Sequence, residues 1–199
     1  DYLVYDDIPD YVVEAFVSIE DRTFWTNVGI DPKSIGRVII QAVKTKGQEL
    51  HGASTITQQL ARTMFLNRDV NLDRKLKEMA LAIGLTHKYS KQQIMEFYVN
   101  QCFFSNGSYG IENASQLYFG VSADKLSLSQ TAYLCAIPNR PSYYNPYREP
   151  TNAIGRRDRI LLNMYRQGYI SKARYQVAIA ENLTIQSSSL AVDNYQITY

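Results

Sequence analysis

Apolar residues recur three and four positions apart in segment after segment of this chain, a spacing that stacks them on one side of an α-helix, and no region is rich in strand signals. Val12, Val13, Phe16, Val17 and Ile19 make such a stripe between Ile8 and Phe24. Leu72, Leu76, Met79, Ala80 and Ile83 make a second, and the spacing turns them towards a core. Ile94, Phe97 and Tyr98 follow a capping box of Ser90 and Gln93, in which each side chain satisfies a backbone donor of the other. A short apolar helix is predicted over Thr131 to Ile137, ended by Pro138, and further helices over Ala153 to Tyr165 and Ser171 to Glu181. The chain has 199 residues, 45% apolar and 20% charged, enough to bury one sizeable core, and it contains no internal repeat. The fold class is therefore mainly α.

Within these helices some polar residues stand where packing alone would not put them. In GASTITQQLARTMFL, residues 52–66, Thr55, Gln59 and Arg62 form one polar stripe beside an apolar stripe of Ile56, Leu60 and Met64. Thr55 and Gln58 fit a capping box, so the segment reads either as a well-capped solvated helix or as one with a face for a ligand. Glu20 continues the apolar stripe of its helix, at i+7 from Val13, i+4 from Phe16 and i+3 from Val17. A carboxylate at the end of a buried stripe is partly desolvated, the setting in which a general base works. Its neighbours Asp21 and Arg22 act on it in opposite senses. Glu78 has Arg74 one turn before it at i, i+4 and Lys75 at i, i+3, so both cations reach it or a ligand beside it, although such pairs usually decorate a solvated face. Two carboxylates, hydroxyl and amide groups, and Arg62, Arg74 and Lys75 together suit a sugar carrying a phosphate or pyrophosphate.

The same residues carry a family resemblance. EDRTFWTNVGID at 20–31, GASTITQQLAR at 52–62, RKLKE at 74–78, KQQIMEFYVN at 91–100 and RRDRIL at 156–161 resemble, in order and spacing, the motifs of the family 51 peptidoglycan glycosyltransferases. SYGIENASQLYFG at 108–120 and RPSYYNPYREP at 140–150 are similar to further stretches of that family. The resemblance implies a lysozyme-like, two-lobed helical domain over residues 1–185 with a substrate cleft between the lobes. It implies polymerisation of lipid II into β-1,4-linked glycan with inversion and release of undecaprenyl pyrophosphate. Glu20 would be the general base, and Glu78 the second essential carboxylate, orienting the donor pyrophosphate or its metal ion. Arg62, Arg74 and Lys75 match positions serving the donor phosphates, with Arg157 a looser candidate. Asp21, Thr55, Gln59 and Asn100 complete the substrate-binding set. No cofactor is obligatory, and a divalent cation (Mg or Mn) is compatible with the scheme.

Two residues depart from the family pattern. Asn27 stands where motif 1 usually carries histidine, which removes an imidazole able to donate a hydrogen bond or carry a proton. Arg62 stands where many members have lysine, replacing a point charge by a planar fork that also suits phosphate.

The net charge of +2 is too small to argue for nucleic acid. Cys102, Cys135, His51 and His87 keep no metal-ligand spacing, and the cysteines read as buried free thiols, with a disulfide open to an exported domain. SIGRVIIQAVKTKG, residues 34–47, puts Ile35, Val38, Ile39, Ala42 and Val43 on one face beside Arg37, Lys44 and Lys46. It reads as a core helix or as one lying in a membrane interface. The resemblance implies the outer face of the bacterial cytoplasmic membrane, a transmembrane anchor ahead of this domain, and a polar, Ser-rich linker over 186–199 leading to a transpeptidase domain. Two rival functions use the same residues: a lysozyme-like hydrolase, to which a cationic pyrophosphate site would be superfluous, and a non-catalytic glycan or lipid-binding module, which Asn27 motivates.

Overall fold

The computed structural model describes residues 1–32, 36, 54–66 and 72–187. Of the segment 34–47 only residue 36 is among these, and the tail beyond residue 187 is not, so the interface-helix and linker expectations fall outside the described residues. The chain forms two compact units, Asp1–Ala15 with Cys102–Tyr199, and Phe16–Gln101. Helix α1, Asp10–Glu20, begins in one and ends in the other. Among the described residues every longer element is a helix, and β pairing is limited to one isolated bridge between Phe103 and Tyr109. The expectation of a mainly α fold is met.

The first unit holds α5 (Ile111–Phe119), α6 (Leu128–Ala136), α7 (Pro150–Arg166) and α8 (Lys172–Ala180). Its core is conventional: Phe104, Ile111, Leu134, Ile137, Ile160, Leu161 and Met164 are all fully buried. Helix α6 starts three residues earlier than the sequence reading placed it, because Ser127 and Gln130 form a capping box that was not recognised. Helix α7 also starts early, with Pro150 in its first turn, where a missing N–H costs nothing. Helix α5, which periodicity did not single out, ends at Gly120 in the left-handed region (φ 68°). Gln186 is docked at that end, its N–H donating to the Tyr118 carbonyl at 2.9 Å. Both cysteines are buried free thiols in this unit.

The second unit holds the end of α1 with α2 (Ile56–Phe65), α3 (Leu72–Lys88) and α4 (Lys91–Gln101). Helix α3 packs on α2 and on α4. Phe16, Val17, Phe24, Ile56, Leu60, Ile94, Met95 and Val99 form an apolar core. The Tyr98 ring meets Phe16 edge-on at 5.1 Å. Both anticipated capping boxes are present, Thr55 with Gln58 and Ser90 with Gln93.

Helix α3 corrects the sequence reading. Leu76, assigned to the core, is 57% exposed and Ala80 is exposed, whereas Glu78 is 0% exposed and Lys75 and Ala82 are buried. The stripe 75, 78, 82 faces inward, Leu76 and Ala80 face out, and Met79 and Ile83 lie half-buried between the two faces. Hydropathy periodicity fixes the angle between two faces of a helix, not which of them is covered. Here the buried charges satisfy one another, so the usual penalty does not eject them. Met64 is likewise exposed rather than in the core, and with Phe65, Leu81, Leu85 and Phe97 it lines an open apolar groove of about 700 Å³.

Gly29, in the loop after α1, is the tightest point of this unit. Its φ of +93° suits glycine, and a Cβ built there would lie 2.3 Å from the carbonyl oxygen of Ala82 on α3. Its carbonyl accepts the Thr55 hydroxyl at 2.6 Å and its N–H donates to Asn27 Oδ1 at 2.9 Å.

Candidate active site

Glu20 is the last residue of α1 and is half-buried. The Gln59 side-chain amide, from the second turn of α2, donates to Glu20 Oε2 at 2.9 Å and reaches the Ser54 carbonyl at 3.4 Å. The Ser54 hydroxyl donates in turn to Glu78 Oε1 at 3.3 Å and accepts from Lys75 Nζ at 2.6 Å. Gln59 and Ser54 therefore join the two carboxylates singled out from the sequence by an unbroken line of polar contacts, all within the second unit.

The two carboxylates have contrasting settings. Glu78 is enclosed: Arg74 donates to Oε2 at 2.8 Å, and Lys75 makes a short ion pair with Oε1. With two cations on one carboxylate this cluster carries a net positive charge, and the Arg74 side chain remains 16% exposed. Glu20 is held by an amide, a neutral partner that leaves its negative charge uncompensated by that contact. Arg62, in the last turn of α2, is exposed. The α3 helix thus presents a cluster with an excess of positive charge, while α1 ends in a half-buried carboxylate.

Asp21 is buried, and hydrogen bonds within the second unit engage both of its oxygens. It accepts from the N–H of Ile56 at the start of α2, from the Asn27 amide with both oxygens at 3.0 Å, and from Thr23. Burial pushes the Asp21 carboxyl above its ordinary value, and the hydrogen bonds from Asn27, Ile56 and Thr23 and the charge of Lys91 pull it back. The cation that faces it is Lys91 from α4, whose own ammonium burial drives down from its usual value while Asp21 opposes the shift. Lys91 donates to Asn27 Oδ1 at 2.9 Å. Asn27, the departure from motif 1, is therefore a neutral bridge between an acid and a base.

Thr55 is buried with its hydroxyl committed at both ends, accepting from the Gln58 N–H and donating to the Gly29 carbonyl. It anchors α2, and it has no open face for substrate. Asn100 donates back to the Glu96 carbonyl of its own helix at 2.8 Å. Arg157 corrects a sequence expectation. It lies in the first unit, 5% exposed, and each of its nitrogens donates there, to Ser129, to the carbonyls of Ile179 and Glu181, and to Asp158. It staples the end of α8 to α6 and α7 and keeps nothing for a phosphate. Ser54, Lys91 and Tyr98 were not named as site residues. Ser54 and Lys91 sit outside the periodic stripes, where helical spacing gives no signal, and Tyr98 was read only as core.

Both oxygens of Glu78 are already taken by Arg74, Lys75 and Ser54, and among the described residues no group of three or more His, Cys, Asp or Glu side chains could hold a metal.

The transglycosylase family model matches residues 1–165. Penicillin-binding protein 1A of Aquifex aeolicus is 43% identical over 94% of this chain and 26% of its own length. Penicillin-binding protein 1F of Bacillus subtilis is 42% identical over 96% of this chain and 27% of its own. The crystal structure of penicillin-binding protein 1A from Haemophilus influenzae aligns at 26% identity with a TM-score of 0.47, covering 67% of this chain and 17% of that one. The chain spans about a quarter of the length of the curated relatives it matches. Motifs, site and a family match extending from Asp1 through most of α7 converge, and the chain belongs to the transglycosylase family.

Proposed function

We propose that this chain is a peptidoglycan glycosyltransferase of bacterial cell-wall synthesis that polymerises lipid II at the outer face of the cytoplasmic membrane. The observation that carries the reading is the polar line from Glu20 through Gln59 and Ser54 to Glu78, which ends on Arg74 and Lys75. Such a line puts a base at one end and a cationic cradle at the other, as transfer from a sugar pyrophosphate requires. Glu20 takes the proton from the 4-hydroxyl of the acceptor N-acetylglucosamine. The oxygen attacks the anomeric carbon of the donor N-acetylmuramic acid, and the bond from that carbon to the lipid pyrophosphate breaks, the electron pair leaving with the pyrophosphate. Attack from the face opposite the leaving group turns the α-linked donor into a β-1,4 bond. Arg74 and Lys75, fixed by Glu78, with Arg62 at the open end of α2, stabilise the charge that builds on the leaving group. Glu78 acts by orienting those cations. A hydrolase would have no use for this cationic cluster.

Incubation of the protein with lipid II in detergent, followed by separation of polymer from unreacted lipid, tests the reading. Native protein is expected to yield glycan polymer, and Glu20→Gln, which keeps the shape and removes the base, is expected to yield none while binding donor nearly as well. Polymer from Glu20→Gln would remove Glu20 as the base. Release of reducing ends from purified glycan, without polymer from lipid II, would make the protein a hydrolase.

A further inference from the structure

Gln59 can hold the base only if its amide points the right way. A carboxamide turned by 180° exchanges its oxygen for its NH2 with almost no change of shape, so packing does not choose between the two states. In one, the NH2 donates to Glu20; in the other, an oxygen faces a carboxylate, two acceptors in contact. The Glu20 carboxylate and the Ser54 carbonyl, both acceptors, call for the NH2 on their side, and a donor on the amide oxygen completes that arrangement and holds the amide in place. Tyr98, on the buried face of α4 and 5% exposed, donates its hydroxyl to Gln59 Oε1 at 3.0 Å. Its ring is fixed edge-on against Phe16, one helical turn before Glu20 on α1. A phenol donor on the oxygen leaves the NH2 for Glu20 Oε2 and the Ser54 carbonyl.

We propose that Tyr98 is a positioning residue for the transfer reaction, anchoring the Gln59 amide by its oxygen and through it the placement of Glu20; the inference rests on the glycosyltransferase reading. Tyr98→Phe keeps the ring and its packing and removes only the donor. The expected result with lipid II is a fall in kcat of about tenfold with KM within about twofold and a melting temperature close to native, since a base that is misaimed slows the chemical step without weakening ground-state binding. Unchanged kcat, or a rise in KM with kcat preserved, overturns the proposal while native polymer formation and a dead Glu20→Gln leave the functional reading standing.

A second measurement does not depend on turnover. In protein labelled with 15N at glutamine side chains, the NH2 signals of Gln59, assigned by their loss in Gln59→Leu, are expected to shift and broaden in Tyr98→Phe while the other glutamines stay in place. Gln59 signals that do not move in Tyr98→Phe overturn the proposal even if the native protein makes no polymer.

Discussion

The helices α6 and α3 show two ways of using a buried face. In α6, of the first unit, Ala132, Leu134, Cys135 and Ala136 are covered, and the helix carries no charged residue of its own. In α3, of the second unit, Lys75 and Glu78 are covered and Leu76 is left outside. The first arrangement stabilises by removing apolar area from water. The second adds little net stability, because the desolvation of the ions offsets most of their attraction. What it supplies is position: two cations and a carboxylate locked at fixed places on a rigid helix. The helix that carries half of the candidate site therefore holds its buried face by mutual pairing of charges, and α6 holds its own by packing.

This contrast can be broken first at Glu78. Glu78→Ala leaves Lys75 and Arg74 without their buried partner and is expected to cost about 3–5 kcal/mol in urea unfolding, the range for an orphaned buried charge. A loss near that of an ordinary surface substitution would mean the cluster is solvated and the contrast with α6 is false.

A smaller effect is expected in the first unit, from two buried tyrosines. The Tyr118 hydroxyl donates to the Phe104 carbonyl at 2.7 Å and accepts from Asn106, so Tyr118→Phe should cost about 1–3 kcal/mol by leaving a buried carbonyl unpaired. The Tyr133 hydroxyl is buried with no hydrogen-bond partner among the described residues, so Tyr133→Phe should be neutral or stabilising. Burial pushes the Tyr133 phenol up to about 12, against the opposing charge of Arg157. Its folded value lies above the unfolded 10.0, so the stability it contributes is complete below pH 10 and is lost as pH rises through about 12. Tyr133→Phe should flatten that alkaline decline when unfolding is followed against pH.

The smallest effect sharpens the comparison within α3 itself. Lys77 pairs with Asp73 at i, i+4 on the outer face, with side chains 62% and 71% exposed. Lys77→Ala should change stability by less than about 1 kcal/mol in the same urea assay. Equal costs for Lys77 and Glu78 would show that burial does not distinguish the two faces.

Much of this was legible in the sequence. Periodicity and capping residues located α1, α2, α4, α7 and α8, because those helices start at recognisable caps or follow clean apolar spacing. The pairing of Glu78 with Arg74 and Lys75 was readable from i, i+3 and i, i+4 spacing alone. The inward turn of α3 was not, since a sequence carries no record of which face meets the neighbouring helix. Arg157 shows the converse failure: a motif position suggested phosphate, and only the carbonyls at the end of α8 revealed what the guanidinium is for. Tyr98 and Ser54 escaped because their partners lie 39 and 24 residues away in the chain.

The close approach at Gly29 sets the dimensional tolerance of the whole assembly. One loop residue touches the backbone of α3 with no room for a methyl group, while its carbonyl holds the cap of α2 and its N–H holds Asn27. The spacing between the helix that carries Glu78 and the helix that carries Gln59 is thus gauged by the thickness of a bare peptide. A displacement of about 1 Å in a reacting group costs on the order of a hundredfold in rate, and even the smallest side chain at position 29 would need a shift of that order to reach van der Waals contact.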